Sequence, residues 1–390
     1  MTATTEHAHD APPMIDFTPR DELGRRLLLT PGPVTTSPAV REAAMLDVGS
    51  WDADTTQAVR TCQRVLLDVV CNGRDDLACT LIPGSGTYAV ESMLGSAVGR
   101  PGRLLILSNG LYGERLMDIA RQIGVNYGIV RVPEDRSHDP ELVAQELAKG
   151  GYTHLATCHV ETTAGVVHDL NAIGDVCKAH GVRMLVDAMA SFCGYEVGPG
   201  KAIDFDRAPI DHIVASANKC AQGIPGMSYV VSRREAVDNA VSPSHSMSLD
   251  LRAQWRLMED TGRFRYTPPT HVLLSMERAL LELEAEGVAA RAERYKANQR
   301  TAIDRLTSYG CHVYIADEYR SHINTTFLYP TADFETFFND FKSRLRAEGY
   351  IIFPQQVTKA EAFRVGAIGH IGPAEVHGFC DAVGRVLGKA

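Results

Sequence analysis

Three short segments carry residue types that chemistry could use. Pro83-Gly84-Ser85-Gly86-Thr87 follows an apolar stretch, Cys79–Ile82, and opens a helical pattern over Tyr88–Val98. Glycines let backbone N–H groups come close to an anion, and a helix N-terminus adds a favourable dipole. Ser85 and Thr87 add hydroxyl donors, so the segment suits one phosphate group. No Gly-Lys-Ser/Thr follows, which excludes a Walker loop, and the third glycine of the dinucleotide fingerprint is missing. The second segment, Leu185-Val186-Asp187-Ala188, puts a carboxylate at the end of a predicted strand, where α/β sheets bind ligands. The third runs from the apolar His212–Ser216 into Ala217-Asn218-Lys219. A lysine there is poorly placed for a solvated face, and a partly buried lysine has a lowered pKa and can form a Schiff base. Gly223-Ile224-Pro225-Gly226 then supplies a tight turn beside it. Each segment alone has an ordinary alternative: a glycine turn with a Thr cap, a helix cap, a lysine in a surface loop.

Taken together and in this order on an α/β sheet, the three match a site for pyridoxal 5′-phosphate (PLP). The lysine would carry the cofactor, the phosphate cradle would anchor its far end, and Asp187 would pair with the pyridine nitrogen. At about 4 Å and an effective dielectric near 20, such a charge pair gains roughly 4 kcal/mol before desolvation. An aromatic cover is also expected. Tyr112, in Asn109-Gly110-Leu111-Tyr112-Gly113 after the Leu104–Leu107 run, could stack on the ring.

The elements that must position these residues follow from periodicity. Short β-branched and apolar runs at Arg103–Ser108, Asn126–Val132, His154–Val160, Arg183–Asp187, His212–Ser216 and Met227–Ser232 alternate with amphipathic patterns. Those patterns cover Tyr88–Val98, Gly113–Ile123, Pro140–Ala148 and Leu170–His180, the last ending at Gly181 as a C-cap. Such alternation predicts right-handed crossovers and a mostly parallel sheet with both faces covered. After about residue 270 the texture changes. A long helix over His271–Gln299, broken near Gly287, precedes strands at Cys311–Ile315, Asn324–Leu328, Tyr350–Phe353 and one ending at Arg364–Gly366. Helices are expected over Asp333–Glu348 and Pro373–Leu387. The predicted organisation is an extension over 1–24, a large cofactor-binding α/β domain over 25–285 and a small α+β domain over 286–390.

Composition bounds the function. The 390 residues are 45% hydrophobic and 22% charged, with a formal charge of −9, which disfavours a disordered chain and a non-specific nucleic-acid binder. No run approaches the roughly 20 apolar residues of a membrane helix. The nine cysteines are odd in number and none has CxxC spacing, so they are expected as buried thiols of a cytoplasmic protein, with no metal site. Residues 1–20 lack the basic and apolar regions of a secretory signal.

Further segments carry a family resemblance: Leu28-Leu29-Thr30-Pro31-Gly32-Pro33, Gly84 to Glu91, Glu161-Thr162-Thr163-Ala164-Gly165, Asp187-Ala188-Met189, Ser216 to Cys220, Ser246 to Leu251, Gln254-Trp255-Arg256, Met258-Glu259-Asp260, Thr267 to His271 and Phe363-Arg364-Val365-Gly366. From about Leu27 to Leu387 the chain resembles the class V aminotransferases of PLP fold type I. Within them it more closely resembles the 2-aminoethylphosphonate–pyruvate transaminase family, to which the Ser246–His271 stretch is the more specific pointer. The resemblance implies a PLP fold type I large domain with a seven-stranded sheet, plus a smaller C-terminal domain. It implies that Lys219 is the Schiff-base lysine, that Asp187 faces the pyridine nitrogen and that Tyr112 stacks on the ring. Ser85, Gly86 and Thr87 would hold the cofactor phosphate with Asn218 and Ser216, and Thr163 would lie near its 3′-oxygen. Thr267 would reach the phosphate of a neighbouring subunit, making a homodimer with shared active sites. Arg364 would bind the acidic group of the substrate. His245, Ala190 and Ala367 depart from the family pattern and leave room for a modified aminophosphonate or another amine. The rivals are a class V transaminase using alanine or serine with glyoxylate, a cysteine desulfurase and a PLP-binding regulator. The last two lack a suitably placed reactive cysteine and a DNA-binding module.

Overall fold

The computed structural model describes residues 26–99, 101–329, 334–353 and 361–389; the extension expected over 1–24 lies outside the described residues. Seven strands form the central sheet: β1 (Leu77–Pro83), β2 (Arg103–Ser108), β3 (Asn126–Arg131), β4 (His154–Cys158), β5 (Arg183–Asp187), β6 (Ile210–Ser216) and β7 (Met227–Arg233). Their order is β1-β7-β6-β5-β4-β2-β3. The five strands from β6 to β3 run parallel, and β7 is antiparallel to both of its neighbours. The sheet is thus mostly parallel, as expected, with the exception at β7, which the tight turn after Lys219 sends back.

Both faces are covered because every second side chain of a strand points the same way. Leu104 and Ile106 of β2 pack with Val90, Met93 and Leu94 of helix α2 (Gly86–Ala97), with Leu116 and Ile119 of α3 (Leu111–Gln122), and with Leu251 and Trp255 of a later helix over Leu251–Thr261. Leu105 and Leu107 face the opposite core. There they join Val59 and Cys62 of α1 (Ala53–Arg64), Val143 of α4 (Pro140–Leu147), and Leu170 and Ile173 of α5 (Leu170–Ala179). Strands buried on both sides read as near-continuous apolar runs, which is why the sequence marked them within one or two residues.

Helix α6 is the one over Leu251–Thr261; α7 (Thr270–Glu286) and α8 (Val288–Ser308) follow, separated at Gly287, whose φ of +83° lies in the left-handed region. The long helix is broken where expected and continues nine residues further than its apolar pattern suggested. A third core gathers Leu29, Leu306, Phe327, Phe341, Phe363 and Phe379 around a three-stranded antiparallel sheet. Its strands are β8 (His312–Val313), β9 (Asn324–Leu328) and β10 (Ala362–Gly366), in that order, with α9 (Phe334–Ala347) and α10 (Pro373–Leu387) packed against it. The strand expected at Tyr350–Phe353 is shorter. Tyr350–Ile351 pairs in parallel with Leu27–Leu28, outside the three-stranded sheet. All nine cysteines are buried free thiols.

Candidate active site

Strand β6 is buried along its whole length and delivers Ser216, Asn218 and Lys219 to the C-terminal edge of the sheet. The turn behind them is closed by Gln222 N–H donating to the Lys219 carbonyl (2.9 Å) and by Gly223 N–H donating to that of Ala217 (2.7 Å). Lys219 Nζ donates to the Gly32 carbonyl at 3.3 Å. Gly32 has φ +126°, and a Cβ there would stand 2.2 Å from Lys219 Cδ, so a side chain at position 32 and the lysine exclude each other. Burial, with help from the Arg364 guanidinium and against the pull of Asp187, lowers the Lys219 pKa to about 8. The amine is therefore neutral far more often than a solvated lysine at the same pH.

One strand over, β5 ends on Asp187. It lies opposite Cys158 of β4 and Val214 of β6. The carboxylate accepts from Met189 N–H at 2.9 Å. Burial raises its pKa, while that hydrogen bond and the Arg115 and Lys219 charges oppose the rise. The third wall is the start of α2. The first N–H groups of a helix have no partner within it, and here they belong to Gly86 and Thr87, with Ser85 in extended conformation at the N-cap. A Cβ on Gly86 would sit 2.2 Å from Met189 Sδ, so glycine is what lets the helix start close against the Asp187 loop. These walls enclose a cavity of about 230 Å³ lined by Ser85, Gly86, Thr87, Tyr112, Asp187, Ser216, Asn218 and Lys219, together with Val90, Arg115 and Met189.

Eight of the eleven expected residues therefore meet in one space. The other three stand elsewhere. Thr163 lines an adjoining cavity; its hydroxyl donates to Glu161 and accepts from Leu111 N–H at 3.0 Å. Arg364, on β10, donates to the Thr162 carbonyl while its Nε has no partner among the described residues, and burial lowers its pKa. Thr267 lines a separate cavity with Trp51, Arg263 and Tyr266.

Two further groups shape the site. Arg115 places its guanidinium 4.8 Å above the Tyr112 ring and donates to Thr87 Oγ1 at 3.4 Å, linking Tyr112 to the start of α2. Its position in the second turn of a helix gave no signal by spacing. Glu161 is fully buried and accepts from the N–H groups of Tyr112 and Gly113 (3.1 Å each) and of Thr163 (3.0 Å). It satisfies first-turn amides of α3 and so fixes Tyr112. Nothing in the residues around Glu161 marks this role, because the amides it caps lie about 50 residues earlier. Among the described residues no group of three or more His, Cys, Asp or Glu could hold a metal ion.

The donor set fits PLP. Helix amides and hydroxyls suit a phosphate, a buried carboxylate suits a ring nitrogen, and a depressed lysine amine suits a carbonyl carbon. Comparison with known proteins points the same way. The class V aminotransferase family model matches residues 85–349. A 2-aminoethylphosphonate–pyruvate transaminase of Aeromonas hydrophila is 39% identical over 95% of both chains. One of Phocaeicola vulgatus is 38% identical over 92% of this chain and 98% of its own. Among solved structures, alanine–glyoxylate aminotransferase from Nostoc superposes with a TM-score of 0.84 at 24% identity, covering 98% of each chain, which speaks for the fold. The chain belongs to the class V aminotransferase family. Its architecture is that of PLP-dependent transferases of fold type I, and PLP is its cofactor.

Proposed function

We propose that the protein is a transaminase that moves the amino group of 2-aminoethylphosphonate to pyruvate, giving phosphonoacetaldehyde and L-alanine. The observation that carries this reading is the 39% identity with the Aeromonas transaminase of that name, which runs over nearly the full length of both chains. Bound PLP supplies the carbonyl that takes up the amino group and a conjugated ring that accepts the electron pair of the breaking C–H bond. Lys219 Nζ holds the cofactor between turnovers. Its amine would serve as the base that takes the proton from the amine-bearing carbon of the donor. The pKa near 8 makes Nζ a base close to neutral pH. Asp187 would face the ring nitrogen and keep it protonated. Ser85, Gly86, Thr87, Ser216 and Asn218 bind the phosphate, Tyr112 covers the ring, and Thr163 orients the start of α3. Arg364 binds the phosphonate of the donor and the carboxylate of the acceptor in turn, since a guanidinium fork suits both.

A homodimer belongs to the same reading. Thr267 would serve the phosphate site of a second copy, and the neighbouring Trp51 and Tyr266, 78% and 47% exposed, offer apolar surface for it. So does a cytoplasmic location, which suits nine cysteines left as thiols. The test is a half-reaction. Purified PLP-loaded protein is mixed with 2-aminoethylphosphonate and no keto acid, and the visible cofactor band is followed. Bleaching that pyruvate reverses supports the proposal. Bleaching with alanine or serine but not with the aminophosphonate would move the substrate to another class V activity.

A further inference from the structure

Among the described residues, one of the largest fully buried side chains is a charged one, Arg291, 1% exposed. It lies in the first turns of α8, on the far side of the lysine turn from the cofactor cavity. Its Nε pairs with Glu286 at 2.7 Å, and its Nη1 donates to the Cys220 carbonyl at 2.9 Å, one residue past Lys219. The Tyr295 hydroxyl donates to the same carbonyl at 3.3 Å and accepts from Gln222 Nε2 at 2.7 Å. Two side chains of α8, Arg291 seated in Glu286 and Tyr295, thus act on the four-residue turn that begins at Lys219.

The same helix also holds the chain just beyond β10. Arg294 shares Glu286 with Arg291 and donates to the carbonyls of Gly369 and Ile371 at 2.8 and 2.7 Å. Asn298 Nδ2 donates to the carbonyls of Ala367 and Ile371 at 2.9 and 3.1 Å. Ala367 directly follows β10, the strand that carries Arg364. One helix therefore holds the lysine turn through Arg291 and Tyr295, and the segment that leaves the arginine strand through Arg294 and Asn298. Stability does not explain the choice, because a buried ion pair is often replaceable by apolar side chains of similar volume without loss. A planar donor fork does something an apolar side chain cannot: seated in a carboxylate, it aims a fixed hydrogen bond at one backbone carbonyl.

We propose that Arg291, seated in Glu286, is a positioning residue for Lys219, and that α8 sets the distance from Lys219 to Arg364 across the site. The inference rests on Lys219 being the cofactor-bearing lysine and on Arg364 reading the acidic substrate group. Proton transfer is steep in position, and a shift of about 1 Å can cost of order 10²-fold. Disturbing the lysine arm therefore acts on turnover, and disturbing the arginine arm acts on substrate binding.

The experiment compares PLP-loaded Arg291→Met, Arg291→Lys, Tyr295→Phe and Asn298→Ala with the parent. It reads kcat, KM for 2-aminoethylphosphonate, the pH midpoint of the visible cofactor band, and thermal unfolding. Arg291→Met should lower kcat by about 10- to 100-fold with KM within about twofold, and should move the band's pH midpoint. Arg291→Lys should recover part of kcat, since a lysine can reach one of the two acceptors. Tyr295→Phe should lower kcat about threefold, and it carries the test should Arg291→Met fail to fold. Asn298→Ala should raise KM about three- to tenfold while kcat stays within about threefold. Unchanged kcat and band midpoint in both lysine-arm variants would overturn the proposal, as would losses that merely follow the folded fraction. Lys219→Ala is the control: a visible band that persists there would remove the assignment of Lys219 itself, whatever Arg291 does.

Discussion

The two ends of the central sheet handle charge in opposite ways. At the end where β4, β5 and β6 begin, charges are matched. Arg183 pairs with Asp211, Arg233 with Asp76 at 2.9 Å, and Arg74 with both Asp76 and Asp206 at 2.8 and 2.7 Å. At the end where the same strands finish, Lys219 meets a backbone carbonyl and Asp187 meets a backbone N–H, and neither closes an ion pair with the other. The first arrangement satisfies its charges within the fold. The second holds a lysine and a carboxylate in low-dielectric surroundings with capacity left over, which shifts both pKa values toward neutral. Such shifts at the ligand-binding edge of an α/β sheet mark a candidate functional site. Charge at the two ends thus carries different meaning, and partner identity decides which.

That contrast can be broken most sharply at Lys219. Lys219→Ala should lose the visible cofactor band and reduce turnover by about 10³-fold or more, measured in a coupled alanine-formation assay. Arg364→Gln should leave the band in place and lower kcat/KM for both the aminophosphonate and pyruvate by about 10- to 100-fold, the scale of one charge-assisted hydrogen bond. Loss toward only one substrate would divide the two acidic groups between different residues. A pH series tests the Lys219 environment. The depressed pKa means that the neutral, nucleophilic amine is lost as pH falls through about 8. PLP uptake by cofactor-free protein should slow about fivefold from pH 8 to pH 7 and level off above pH 9, read from the growth of the visible band. A rate independent of pH across this window would mean the amine is already neutral or is not the acceptor. The smallest effect belongs to the other end of the sheet. Arg183→Met, which removes a pair with a 42% exposed arginine, should leave kcat within about twofold and cost under about 1 kcal/mol in a denaturant titration.

Much of this was legible along the chain. Arg103–Ser108 and Arg183–Asp187 stand as strands over the residues their apolar runs marked, and Pro373–Leu387 is a helix from its N1 proline to its last apolar residue. Strands buried on both faces and helices with local start signals write themselves into nearby residues. The antiparallel course of β7 was not legible, because direction depends on which neighbour a strand finds and not on its own composition. Tyr350–Ile351 reads as a strand from its residues, yet its partner is Leu27–Leu28, some 320 residues earlier. In the site, Asp187 and Lys219 were visible because each ends an apolar run. Arg115 and Glu161 were not singled out, since their roles come from a ring 4.8 Å away and from the amides of another segment.

By itself the sequence determined the alternation of strands and helices, the glycine-led helix start, and the two ionisable side chains placed where strands stop. Those follow from local periodicity and from residue type, which are properties of neighbours in the chain. Tertiary structure decided the rest: that Ser85, Asp187 and Lys219 share one cavity, that Gly32 yields its Cβ space to the lysine, and that Arg291 sits behind the lysine turn. Each of these depends on contact between segments about 30 to nearly 190 residues apart. Burial and field, which set the pKa of Lys219, exist only once those segments have met.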